Sequence, residues 1–342
     1  MTETQAITQA VRANPAGRVN RQETQTHPIV GANPTDPVVL GLDGSTKTIP
    51  NDAVAALRSK LQGSVALPGE DGYDAARTIW NAMVDRRPGL VVRCLGADDV
   101  INSVRLARNE RLLVAVRAGG HNIAGNAVCD GGLLIDLSLM KSVRVDPTSL
   151  TARVEPGATL ADFDREAQTF GLATPLGINS TTGVAGLTLG GGFGWTTRKF
   201  GLTIDNLISA DVVTADAKLV RASEREHQDL FRALRGGGGN FGVVTSFEFR
   251  LHRLGPEVLS GLVVHPLDRA VNCCPRFAAS PTKPPTNSQS GQSCERRRPC
   301  HSCRPSGMAR RSSYLPPAML AASKKARRRS SHCVLSAVQS PT

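Results

Sequence analysis

The chain has 342 residues and a formal net charge of +12, with 40% hydrophobic but only 4% aromatic residues. That charge is concentrated: residues 271–342 hold thirteen Lys and Arg against one acidic residue, Glu295, so residues 1–270 balance at zero. The neutral first part is not a nucleic-acid-binding surface by composition, and no run of eighteen apolar residues offers a membrane-spanning helix.

Residues 1–50 are rich in Thr, Gln, Asn and Pro and show little periodicity. They lack the charged-then-apolar pattern of a secretory signal and are expected to form a polar, disordered leader. Residues 51–85 read as a helical lead-in, with short helices over Ala53–Leu61 and Ala75–Met83. Leu90–Cys94 reads as a strand, and Asp98 or Asp99 can cap a helix that runs to Asn109 with Val100, Val104 and Leu106 inward. Strands over 112–117 and 132–137 complete a small α/β unit.

The apolar run Leu112–Val116 enters Arg117-Ala118-Gly119-Gly120-His121-Asn122. A β-branched run that meets paired glycines reads as a strand ending in a tight, backbone-exposed turn. Glycines there let backbone N–H groups converge on phosphate oxygens. His121, at the lip of such a nest, can touch whatever the phosphates carry; taken alone it also reads as an ordinary loop histidine.

A second unit begins near Val143. Ala152–Glu155 reads as a strand, and Thr159 can cap a helix through Phe170 with Leu160, Phe163 and Ala167 on one face, stopped by Gly171. Two further glycine clusters follow, Gly183 to Gly194 and Gly236 to Gly242. Between them lie a hairpin, Leu207–Val213 and Leu219–Arg221, and a helix over Gln228–Arg235; Val243–Leu251 is a strand. Each cluster alone can be a turn or bulge, but three of them suggest a backbone wrapped around one large, flat, anionic ligand. Gly237 to Gly242 has the G-x-G-x-x-G spacing, yet a helix precedes it and a strand follows, the reverse of a dinucleotide fingerprint. No Walker-type Gly-Lys-Ser or Gly-Lys-Thr occurs.

From about Arg86 to Pro256 these motifs, with Cys129–Leu137 and Val154–Ala158, resemble the FAD-binding domain of the vanillyl-alcohol oxidase (VAO) and p-cresol methylhydroxylase (PCMH) type. The nearest branch resembles the bacterial relatives of berberine bridge enzyme and 6-hydroxynicotine oxidase. The resemblance implies an α+β, two-lobed PCMH-type (VAO-like) fold with FAD between the lobes, flanked by disordered N- and C-terminal segments. It implies that His121 carries the flavin by a bond from a ring nitrogen to the 8α carbon. Gly119, Gly120 and Asn122 match the pyrophosphate loop; Thr182, Gly183 and Gly186 match a second segment along the cofactor; Gly242 and Val244 match the adenine end. Some members attach flavin a second time through a cysteine, and Asn179 stands at that position, so a single attachment is expected.

On this reading residues 86–256 are the FAD-binding domain, residues 257–270 start a substrate domain that is then lost, and residues 271–342 are a basic, low-complexity tail. The abrupt change after Leu267 suggests a shifted reading frame. The tail holds six of the eight cysteines, but Cys300 and Cys303, with Cys294 upstream, lack a second pair at zinc-site spacing, so no metal is expected. Arg296–Arg298 and Lys324–Arg329 can attract polyanions without specificity. The implied function is an FAD-dependent oxidase that takes a hydride from a small alcohol, amine or sugar-like substrate, with dioxygen as acceptor, in a cytoplasmic setting. The alternatives are a truncated, inactive FAD-binding domain and a basic-tailed polyanion binder. No catalytic base is assignable.

Overall fold

The computed structural model describes residues 36–266, 288–293 and 332–339. Two strands, β1 (Val38–Leu40) and β2 (Thr46–Thr48), pair antiparallel around Gly44, whose φ of 80° suits the turn. Val39 and Ile49 are buried, and Leu40 trades backbone hydrogen bonds with Gly131 and Leu113. Residues 36–50 therefore belong to the fold and not to the polar leader expected for residues 1–50. The two three-residue strands carry little pattern beyond their turn; their place is fixed by the backbone bonds to Gly131 and Leu113.

The helical lead-in expected over residues 51–85, with short helices at Ala53–Leu61 and Ala75–Met83, also differs. A helix spans Asn51–Arg58, but Ser64–Ala66 is a strand, β3, and the next helix, Tyr73–Arg77, ends well before Met83. Thr78 turns extended there, and two distant partners claim the chain: Arg117 Nη1 donates to the Thr78 carbonyl at 2.8 Å, and Trp80 N donates to the Gly120 carbonyl at 3.2 Å.

β4 (Leu90–Arg93), β5 (Val114–Arg117) and β6 (Leu133–Asp136) make the first sheet, in the order β3-β4-β6-β5. β6 runs parallel to both neighbours. Leu90, Val91, Val92, Leu133, Leu134 and Ile135 are all fully buried, as a strand covered on both faces requires. The helix Ala97–Glu110 covers this sheet, with Val100 in the core.

The second sheet is antiparallel, β11-β10-β12-β8-β7, built from β7 (Val143–Asp146), β8 (Thr151–Val154), β10 (Leu207–Val213), β11 (Leu219–Ser223) and β12 (Val243–Arg250). The helix Leu160–Gln168 starts at a capping box in which Thr159 and Asp162 satisfy each other's backbone N–H, and Gly171 follows it at φ 64°. Leu160, Phe163 and Ala167 are its buried face, as the spacing predicts, and Phe163 meets Phe249 edge-on at 6.3 Å.

β9 (Leu172–Ala173) and β13 (His252–Arg253) pair antiparallel, and β14 (Leu259–Pro266), β15 (Ser288–Ser293) and β16 (His332–Gln339) form a further antiparallel sheet in the order β14-β16-β15. Two of its strands fall inside the region expected to lack structure. The register sets the β-forming run Val334-Leu335 opposite Val264 and Val263, a match between segments too far apart to be read as a pair locally. The arginine and lysine runs and the Cys300–Cys303 pair lie outside the described residues.

Candidate functional site

The register of the parallel strands brings three charges to one point. Arg93 on β4 and Arg117 on β5 both stand opposite Asp136 on β6. Asp136 is fully buried and Arg117 is 7% exposed. Arg117 donates from Nε to Oδ1 at 3.0 Å and from Nη2 to Oδ2 at 2.6 Å, a bidentate pair. Ser138 donates to the same carboxylate from N and Oγ, both at 3.0 Å, and Arg93 Nε lies 3.5 Å from Oδ2. This cluster seals the strand ends and fixes where the loop Ala118–Asn122 leaves the sheet.

Gly120 in that loop has φ 67°, a conformation that favours glycine. Gly119 is required for a different reason. A Cβ there would lie 2.5 Å from the Gly183 Cα, and one on Gly183 would lie 2.7 Å from the Gly119 Cα. The two predicted cofactor segments thus touch backbone to backbone. The backbone N–H groups of Gly119, Gly120, His121 and Asn122 make no hydrogen bond among the described residues. Four consecutive unpaired donors in a glycine loop at a strand end suit the negative oxygens of a pyrophosphate, so the residues present fit the cofactor they are expected to hold. Asn122 Oδ1 accepts from Asn126 N at 3.0 Å, which ties the side chain to the turn that follows.

His121 is half-buried and stacks on Trp80, with ring centroids 5.0 Å apart and planes inclined by 21°. Burial lowers its pKa below the ordinary histidine value of 6.5, against the opposing effect of the Thr181 backbone. Its imidazole is therefore neutral near pH 7 and carries a nucleophilic lone pair. The buried thiols of the described residues offer no rival nucleophile: burial pushes Cys94 up to about 12 and raises Cys129 as well.

Thr182, Gly183 and Gly186 are placed by the second lobe. Leu160 N donates to the Thr182 carbonyl and Val184 N to the Ala158 carbonyl, each at 2.9 Å. Gly183 then opens a short helix, Val184–Leu189, where sequence reasoning saw only a glycine cluster. Thr182 and Gly186 line a cavity of about 370 Å³ together with Ile178, Asn179, Leu187 and Phe193. A Cβ on Gly186 would meet nothing within 4 Å, consistent with its open position there. Ile178 and Phe193 are partly exposed at this rim, an apolar lip that the glycine pattern did not announce.

Gly242 and Val244 are not part of that lining. They stand at the start of β12, beside the end of β10. Gly242 has φ 145°, and a Cβ on it would lie 2.7 Å from both Val212 Cγ1 and the Val213 carbonyl oxygen. Val244 is 3% exposed, its side chain packed among Val212, Phe247 and Phe249 and its backbone paired with β10. The third glycine cluster does reach the second segment: Gly238 N donates to the Leu189 carbonyl at 2.9 Å. Trp80 and Asn81 are functional candidates that the sequence hid inside an expected helix.

Residues 88–223, which contain the Arg117–Asp136 pair, the loop and the Gly183 segment, match the family described as FAD binding domain. Over these residues the chain is similar to an FAD-binding domain. Its relatives are FAD-linked oxidoreductases and oxidases. It is 43% identical over 203 residues, 59% of this chain and 44% of the relative, to (R)-6-hydroxynicotine oxidase of Paenarthrobacter nicotinovorans. It is 40% identical over 207 residues, 60% of this chain and 45% of the relative, to an FAD-linked oxidoreductase of Dictyostelium discoideum. The crystal structure of 6-hydroxy-D-nicotine oxidase from Arthrobacter nicotinovorans superposes with a TM-score of 0.66 at 31% identity, covering 82% of this chain and 55% of that one. The BBE-like 1 protein of Physcomitrella patens shares the fold, with a TM-score of 0.67 at 24% identity, covering 84% of this chain and 56% of that one. The expected α+β, VAO-like fold of the FAD-binding domain is thus the observed one. The chain spans 44% and 45% of the length of the two curated relatives above.

Proposed function

We propose that this chain holds FAD at its FAD-binding domain, covalently through His121, and acts as an oxidase on a small alcohol, amine or sugar-like donor. Bound flavin would supply the two-electron chemistry, taking a hydride from the donor and passing the electrons to dioxygen. The residues of the chain do the rest. Backbone N–H groups of Gly119, Gly120, His121 and Asn122 hold the pyrophosphate. Thr182, Gly183 and Gly186 run along the cofactor, and the backbone at Gly242 and Val244 serves its adenine end. His121, neutral, would supply the ring nitrogen that bonds the 8α carbon; the imidazole and the 8-methyl group would each give up a proton, and the two electrons and two protons would go to dioxygen as hydrogen peroxide. Asn179 offers no thiolate for a second bond.

The observation that carries this reading is the Gly119–Gly183 seam, which leaves four unpaired donors beside a neutral histidine. The test is fluorescence titration of the full chain with FAD, followed by hydrogen peroxide detection with a panel of alcohols, amines and sugars. Saturable FAD binding and peroxide release with one donor class support it. A chain that binds no FAD overturns it.

A second reading is favoured by the apolar rim: Phe193 is 66% exposed and Trp195 is 42% exposed. On that reading the chain binds FAD without turnover. FAD binding with no peroxide from any donor selects it.

A further inference from the structure

The segment Ile79–Val84 follows the cofactor loop at several points. Trp80 N donates to the Gly120 carbonyl at 3.2 Å, just before His121. The Trp80 indole stacks on His121 itself. Asn81 Nδ2 donates to the Ile123 carbonyl at 2.9 Å, just after it. A Cβ on Gly125 would lie 2.8 Å from Val84 Cγ1, so the contact continues past the loop. The segment is itself anchored: Ile79 is 6% exposed, and Arg117, held by Asp136, donates to the carbonyl of Thr78.

Trp80 is 49% exposed. An indole buries far more area in a core than half-out of a surface, so burial does not account for its placement. What it does achieve is geometric. A flat ring laid on the imidazole fixes the plane of His121 and covers one face, and the hydrogen bonds on either side fix the backbone that carries it.

We propose that Trp80 and Asn81 are positioning residues that clasp the loop around His121 and hold its imidazole for attack on the flavin 8α carbon. This rests on the reading of His121 as the flavin anchor. Neither residue touches the reacting carbon; each acts through His121. Loss of the clasp leaves the phosphate-binding donors in place and affects the covalent step.

The experiment uses the full chain, freed of flavin, mixed with FAD. Non-covalent binding is followed by fluorescence and covalent attachment by the intact mass of the denatured protein over time. The variants are Trp80→Leu, Trp80→Phe, Asn81→Asp and His121→Ala. Trp80→Leu keeps apolar bulk and removes the ring; attachment is expected to slow roughly tenfold or more, the scale of a small misplacement of a reacting group. Trp80→Phe keeps an aromatic face and is expected to restore most of the rate. Asn81→Asp loses the donor to Ile123 and is expected to slow attachment in the same way. FAD affinity stays within about twofold of wild type in both Trp80 variants, since the donors are untouched; in Asn81→Asp the added charge weakens binding as well, so attachment there is compared at saturating FAD. Attachment at the wild-type rate in both Trp80→Leu and Asn81→Asp overturns the clasp while leaving the anchor standing. A wild-type chain that binds FAD but gains no mass, like His121→Ala, overturns the anchor and the clasp with it.

Discussion

Gly119 and Gly183 occupy each other's side-chain space. Neither needs glycine for its dihedrals: Gly119 is absent from the positive-φ residues, and Gly183 sits at φ −76°. Space alone requires them, because a Cβ on either would lie within 2.7 Å of the other's Cα. The seam joins the loop leaving β5 to the segment bonded to Ala158 and Leu160, so it holds the two lobes' contributions to the cofactor site at one spacing.

Gly119→Ala and Gly183→Ala are each expected to destabilise the fold by about 1–3 kcal/mol, the usual cost of forcing a methyl into a packed site. Both are expected to weaken FAD binding, because the two segments must part. Gly96→Ala, where a Cβ meets nothing within 4 Å, is the control. Urea unfolding and FAD titration of the three variants check this.

Asp136 is the second point of failure. Its carboxylate is fully buried and accepts from Arg117 and Ser138. Asp136→Ala leaves the Arg117 guanidinium buried without its partner, which is expected to cost about 3–5 kcal/mol. A matched apolar pair, Arg117→Met with Asp136→Leu, is expected to recover much of that stability while losing the hold on Thr78. Chemical denaturation separates the single from the double variant.

Two histidines make stability depend on pH in one direction. Burial lowers the pKa of His121 and of His252, and Arg250 adds to the effect at His252. The unfolded chain therefore binds protons more readily at both sites than the folded one. Their contribution is present above the ordinary value of 6.5 and is lost as pH falls through the folded-state values below it. Thermal midpoints between about pH 5 and 8 are expected to fall on acidification, and to fall less steeply in His121→Gln and His252→Gln. Covalent flavin attachment is expected to slow over the same acid range, since a protonated ring has no free lone pair.

The loop Arg117–Asn122, the capped helix after Thr159 and the stop at Gly171 were legible because each is specified by neighbours in the chain. A strand runs into glycines, a threonine precedes an aspartate by three residues, and a glycine adopts positive φ at a helix end. Trp80 was not legible. Ala75 to Met83 has helical spacing, and what ends the helix at Arg77 is the claim of Arg117 and Gly120 from elsewhere in the sheet. The β1–β2 hairpin had one local signal, Asp43-Gly44 between short apolar and polar alternations, that marks a turn. The helix Val184–Leu189 was masked by its own Gly186, a residue that weakens helical patterns and here leaves the cavity wall open.

The capping box at Thr159 links helix stability to the site. Thr159 forms an isolated bridge with Gly183, and on either side Leu160 bonds Thr182 while Val184 bonds Ala158. The Thr159 Oγ1 accepts from Asp162 N at 3.3 Å, and the Asp162 carboxylate accepts from Thr159 N at 3.0 Å and from Oγ1 at 2.8 Å. Thr159→Ala removes the hydroxyl and is expected to cost about 1 kcal/mol, the ordinary loss of an N-cap. If the cap were only structural, FAD affinity would be untouched once the protein is folded. Because the capping residue is bridged to Gly183, the loosened first turn also frees Thr182 and Gly183, so affinity is expected to fall along with stability. Thr159→Ser, which keeps the hydroxyl, is expected to retain both. Equal FAD affinity in Thr159→Ala and wild type, measured well below their unfolding transitions, would show that the seam at Gly119 holds the segment without help from the helix.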